Sequence, residues 1–216
     1  RAVPGAIERV FCGEKGEIAY ETIAGAPPVG ICGSGLIDLT AELLRKGAID
    51  DTGFLKDAPD KKYHLTKNIS TKDVLMKDSS AKDIFLSQKD IRQIQLAKAA
   101  VAAGIRMLLD EAGGSYEAID EIFIAGAFGS RLDFENLKTI GMIGREFRGN
   151  VRFVGNTSLE GAKLCLVNKG IRSEMSALAG EIETVELSIR DSFQSAFIGE
   201  LNFAGGNIGR KGKATP

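Results

Sequence analysis

Several things are scarce in these 216 residues, and each scarcity closes off a class of function. Neither sign of charge dominates: 28 Lys and Arg stand against 29 Asp and Glu, for a net charge of −1. The chain therefore carries no field suited to a nucleic acid or an anionic membrane. No apolar run approaches the roughly 20 residues that cross a bilayer, and no signal peptide is visible. Only three cysteines occur, Cys12, Cys32 and Cys165. They lie too far apart for a disulfide framework or a CxxC metal site, so a reducing, cytoplasmic setting is expected. One histidine, His64, is present, and no carboxylates recur at a recognisable catalytic spacing, so no general base and no metal ligand is nominated. The chain opens at Arg1 rather than Met, as expected of a piece of a longer protein.

Glycine is abundant. The 26 glycines are about 12% of the chain against a usual ~7%. Many follow predicted strands, where a residue without Cβ lets a ligand approach the backbone. Hydrophobic residues at 44% and charged ones at 26% fit an ordinary globular protein able to bury a core.

Residues Ile7–Cys12 and Ile18–Ile23, joined by Gly13-Glu14-Lys15-Gly16, predict a β-hairpin. After Pro27-Pro28 comes a glycine loop, Gly30-Ile31-Cys32-Gly33-Ser34-Gly35, and then an amphipathic helix through Leu36, Leu39, Leu43 and Leu44 with Ser34 as its N-cap. Residues 50–85 are polar and lysine-rich and read as a peripheral insertion with short strands near Tyr63–Leu65, Val74–Met76 and Asp83–Leu86. The longest helix runs from Gln88 to about Ala112. Ser87 and Asp90 form its capping box, and Ile91, Ile94, Ala97, Val101, Ile105 and Leu108 form its apolar stripe. Strand and helix then alternate. Strand Glu121–Ala125 precedes helix Phe134–Ile140, strand Val151–Val154 precedes helix Ser158–Val167, and strand Ile182–Leu187 precedes helix Asp191–Leu201. The glycine-rich, basic tail 204–216 is expected to be disordered.

The candidate site begins at Gly126-Ala127-Phe128-Gly129, where a buried strand ends and a helix follows. In open α/β sheets, ligands sit outside the carboxyl ends of strands, and glycines there let bare backbone lie against a planar or phosphorylated group. A tight turn with no ligand would use the same residues. Arg131, two residues on, could bring a guanidinium over a base or phosphate. Gly33 and Ser34, opening a helix, could receive phosphate or ribose oxygens, or could serve close packing alone. Arg92 and Lys98 are expected on a solvated helix face, Cys12, Cys32 and Cys165 in core packing, and His64 on an exposed strand.

Ala125-Gly126-Ala127-Phe128-Gly129 resembles the adenosine motif of the acetate/sugar kinase, heat-shock chaperone and actin superfamily, and Gly155-Asn156-Thr157-Ser158-Leu159-Glu160-Gly161-Ala162 resembles the strand–helix step after it. More narrowly, the chain resembles the reductive activators of corrinoid-dependent methyltransferases. Four segments in that family's order carry the likeness: Ala2–Glu8, Gly30–Asp38, Gln88–Ala100 and the adenosine-like loop. The resemblance implies an α/β fold, a mixed sheet flanked by helices, forming one lobe (residues 1–203) of an actin-like, ribonuclease H-like ATPase. It implies ATP or ADP with Mg²⁺ as cofactor and a corrinoid protein as partner. An N-terminal iron–sulfur domain would supply the electron that takes cobalt from Co(II) to Co(I). This stretch has neither a cluster-binding cysteine set nor the Asp-x-Gly-Thr phosphate motif; Asp50-Asp51-Thr52-Gly53 has the wrong order. ATP hydrolysis by this stretch alone is therefore not expected. Two other readings stay open, a non-catalytic lobe that docks the corrinoid protein and the activator ATPase of a dehydratase or reductase.

Overall fold

The computed structural model describes residues 2–66, 83–126 and 131–203. The expected strand at Val74–Met76 and the tail 204–216 lie outside the described residues. Strand β1 (Ala6–Cys12) pairs antiparallel with β2 (Ile18–Thr22), Arg9 opposite Glu21 and Cys12 opposite Ile18. The hairpin turns at the expected glycines: Gly13 N donates to Glu17 O at 2.8 Å, and Gly16 adopts φ +79°, which only glycine takes without strain. On its other side β1 runs parallel to the short β3 (Gly30–Ile31), which makes a mixed three-stranded sheet.

Helix α1 (Gly33–Arg45) lies directly on β1. Leu39 and Leu43 are fully buried against Ile7 and Val10 in the main core cluster, and each such burial contributes roughly 1.5–3 kcal/mol. The helix begins one residue earlier than its expected cap. Cys32 takes the N-cap position and Ser34, inside the first turn, sends its hydroxyl to Glu8 O at 2.7 Å. The strand carbonyl won that hydroxyl because the helix end is pressed onto β1. Gly35 is where they meet, since a Cβ there would run into the carbonyl oxygen of Ile7.

Strands β4 (Lys62–His64) and β5 (Phe85–Ser87) pair antiparallel and flank the stretch outside the described residues. Leu55, Leu65 and Ile84, all within 50–85, are buried in the main core together with Leu86 just after it. Both ends of the expected insertion are thus sewn into the domain. Helix α2 (Gln88–Glu111) opens on the expected capping box, with Asp90 N donating to Ser87 Oγ at 3.2 Å and Ser87 N to Asp90 Oδ2 at 2.9 Å. Its first turns bury the expected face, with Ile91 in the core and Ile94 packed against it. Further along the buried face shifts: Val101 and Leu108 are about half exposed, whereas Gln95, Lys98, Ala99, Ala102, Ala103 and Met107 are buried. Small side chains admit a close neighbour, and that neighbour is the end of α6 (Asp191–Gly199). Gln95 Nε2 donates to Leu201 O at 2.9 Å and Lys98 Nζ to Asn202 O at 2.5 Å, which satisfies carbonyls beyond the helix end.

Strands β6 (Glu121–Ala125) and β7 (Asn150–Gly155) form a parallel pair, with Ile122 opposite Val151. Between them lies the short helix α3 (Phe134–Thr139), packed on α1, and after β7 comes α4 (Thr157–Val167). The expected strand Ile182–Leu187 is absent. Instead α5 (Lys169–Glu181), capped by Asn168, folds back on α4, and a 3₁₀ turn follows at Leu187–Ile189. An alternating apolar pattern becomes a strand only beside an edge that accepts it. Among the described residues no helix is long and apolar enough to cross a membrane.

The close contact at Gly35 is testable by melting. Gly35→Ala should lower stability by about 1–3 kcal/mol, the cost of overpacking. Gly30→Ala, where a Cβ meets no atom within 4 Å, should leave the melting temperature nearly unchanged.

Candidate functional site

The carboxyl ends of β6 and β7 carry Gly126 and Gly155, which are directly bonded: Gly126 N donates to Gly155 O at 2.7 Å. Gly126 has φ +114° and Gly155 φ +68°, and a Cβ added at either would meet nothing within 4 Å among the described residues. Neither glycine is there to admit a packed neighbour. Together they leave a ledge of bare main chain at the edge where α/β sheets bind ligands. Helix α4 starts just beyond, its N-cap Asn156 accepting from Leu159 N at 3.2 Å. Ala127, Phe128 and Gly129 lie outside the described residues.

Arg131 and the Gly33–Ser34 loop converge on Glu8 of β1. The Arg131 guanidinium lies 3.5 Å from the Glu8 carboxylate, and the Ser34 hydroxyl is bonded to the Glu8 carbonyl. Ser34 is buried and its Oγ also sits 3.3 Å from Cys32 Sγ, so its hydroxyl is engaged within the fold. Gly33 is exposed, with open space at its Cβ position. Two of the three expected site regions thus meet at one strand residue.

Beside Arg131 opens a polar cleft of about 420 Å³, lined among others by Arg9, Asp38, Arg45, Asp133 and Asn136. Asp38 is 4% exposed. Its Oδ2 accepts from Val10 N at 3.2 Å, and its Oδ1 accepts from Asn136 Nδ2 at 2.6 Å. Burial pushes its carboxyl above the ordinary carboxylate range, and these two hydrogen bonds pull the other way. The Asn136 carbonyl accepts from Arg45 Nη2 at 2.6 Å, and Arg45 also reaches Glu42 at 2.6 Å and Thr139 at 3.0 Å. Sequence reasoning nominated none of Asp38, Arg45 and Asn136. The sequence carried no signal for them: Asp38 lies on the side of α1 turned away from Leu36 and Leu43, where periodicity reads a carboxylate as solvated.

The remaining nominated residues take other places. Lys98 is fully buried rather than solvated, and burial pushes its ammonium down. Arg92 donates to Thr52 O at 2.6 Å, away from the β6–β7 ledge. Cys32 is buried as expected, whereas Cys165 is half-buried and Cys12 is exposed at the end of β1 beside Lys46. His64 is half-buried on β4, with Nε2 2.7 Å from Asp60 Oδ2 and Nδ1 3.0 Å from both carboxylate oxygens of Asp83.

The family described as the C-terminal domain of RACo, the ASKHA domain, matches residues 1–210. The corrinoid activation enzyme RamQ of Eubacterium limosum is 36% identical over 220 residues, covering 96% of this chain and 36% of the relative. The [Co(II) methylated amine-specific corrinoid protein] reductase of Methanosarcina barkeri is 26% identical over 191 residues, covering 88% of this chain and 32% of the relative. Among solved structures, a reductive activator for corrinoid,iron-sulfur protein superposes with a TM-score of 0.78 at 34% identity, covering 94% of this chain and 33% of that one. The chain spans about a third of the length of these proteins.

His64 is the single histidine of the sequence, so one imidazole signal reports its charge. The carboxylates of Asp60 and then Asp83 raise its pKa above 6.5. The stability this pairing contributes is full below the unfolded value and lost as pH rises through the folded one. NMR titration should give a midpoint above 6.5, lowered more by Asp60→Asn than by Asp83→Asn. A midpoint at or below 6.5 would remove the clamp.

Proposed function

The chain belongs to the RACo C-terminal family, the ASKHA domain, and from that membership we propose that it is the nucleotide-binding C-terminal part of an ATP-dependent reductive activator. In this reading the intact protein works in the cytoplasm and returns a corrinoid protein from Co(II) to Co(I). Residues 1–203 act as one lobe of the ATPase, carrying an insertion at 50–85 and a tail at 204–216. One electron passes to cobalt from an iron–sulfur domain N-terminal to this lobe. ATP with Mg²⁺, when bound, supplies the free energy for that uphill reduction. The relatives' names, corrinoid activation enzyme and corrinoid protein reductase, support the substrate class.

The observation that carries the reading is the ledge at Gly126 and Gly155. Two adjacent, hydrogen-bonded glycines of positive φ, with open space where side chains would stand, fit the flat face of a nucleoside. Gly126, with Ala127, Phe128 and Gly129, holds the adenosine side. Arg131 sets a positive charge beside it, and exposed Gly33 offers main chain from across Glu8. Closing this lobe against the remainder of the ATPase would exclude water and alter the corrinoid partner's geometry.

A docking lobe without nucleotide is favoured by a different observation. Leu166, Val167, Ile182 and Ile189, at the ends of α4 and α5 and in the turn after them, are each at least 66% exposed. Calorimetry on the intact protein separates the two. Nucleotide binding predicts heat with MgADP and a loss of about tenfold in affinity for Gly126→Val. It also predicts that growth of the Co(I) absorbance of the corrinoid protein requires ATP. Absence of heat at millimolar nucleotide would leave docking as the function.

A further inference from the structure

Resting on the nucleotide reading, we propose that Asn136 is a positioning residue that fixes Arg131 in the cleft through hydrogen bonds to Asp38 and Arg45. Arg131 cannot hold that place by its own contact. Its pairing with Glu8 spans 3.5 Å with the arginine side chain 57% exposed, and exposed pairs of this kind contribute at most about 1 kcal/mol. The backbone that carries Arg131 leads within three residues into α3, a helix of six residues, too short to be stable by itself.

What pins α3 is Asn136. Its amide donates to the buried Asp38 carboxylate and its carbonyl accepts from Arg45, both at 2.6 Å. Its backbone N–H closes the N-cap with Asp133 at 2.9 Å. Asp38 in turn holds Val10 of β1, two residues from the Glu8 that faces Arg131. The chain of bonds therefore sets the segment after the glycine loop against both β1 and α1. Asparagine suits the position because one side chain must donate to a carboxylate and accept from a guanidinium at once. A leucine would fill the space and make neither bond. Asn136 is 6% exposed, so water cannot replace a lost partner.

The test is MgADP affinity in the intact protein, measured beside its melting temperature. Asn136→Asp sets a second carboxylate against Asp38 and should weaken binding about tenfold. The exchange Asp38→Asn with Asn136→Asp reverses donor and acceptor, still gives Val10 N–H an acceptor and Arg45 a carboxylate, and should restore affinity to within about twofold. In an Arg131→Ala background, Asn136→Asp should cost no more than about twofold further, because the residue acts through Arg131. A purely structural Asn136 would instead give additive losses. Additive losses overturn the proposal, as does unchanged affinity for Asn136→Asp, or an exchange variant that melts like wild type and still binds weakly. If wild type itself fails to bind MgADP, the nucleotide reading falls and takes this proposal with it.

Discussion

A carboxylate buried at 4% exposure sits where β1, α1 and α3 meet. Removing a charge from water costs several kcal/mol unless hydrogen bonds replace the lost solvent. Asp38 has those bonds on both oxygens, one from the Val10 backbone and one from the Asn136 side chain. Because neither partner can leave without stranding the charge, β1, α1 and α3 hold one relative position. The closeness of α1 to β1 follows from the same requirement: Gly35 has no Cβ, Ser34 bonds the Glu8 carbonyl, and Leu39 and Leu43 fill the space beneath.

Two uses of glycine divide along this line. Gly35 lets backbone meet backbone inside the protein, so its missing side chain serves packing. Gly126 and Gly155 have positive φ and face open space, so their missing side chains leave room outside the protein. The first kind explains how the lobe is assembled and the second where it can meet a ligand. The Arg131–Glu8 pair lies on the first of these, where Ser34 also bonds the Glu8 carbonyl.

The apolar residues left exposed around α4, α5 and the following turn belong to the same picture. The relatives are about three times as long as this chain. The β6–β7 pair is parallel yet half open on both faces, whereas parallel strands are normally covered on both.

Much of this was legible in the amino-acid order alone. The hairpin with its Gly13–Gly16 turn, the Ser87–Asp90 capping box, the extent of α2 and the strand–glycine steps at Gly126 and Gly155 all follow from local chemistry: turn torsions, orphan N–H groups and hydrophobic period. The family likeness rode on the same local strings. Tertiary structure decided what depends on a neighbour. It turned α2 to bury Gln95 and Lys98 because the carbonyls of Leu201 and Asn202 needed donors. It left 182–187 without a strand because no sheet edge received it, and it diverted the Ser34 hydroxyl to β1. It also joined Asp38 to Asn136 across 98 residues, a pairing no periodicity encodes, since a hydrogen bond's partner is chosen by proximity in space and not by spacing along the chain.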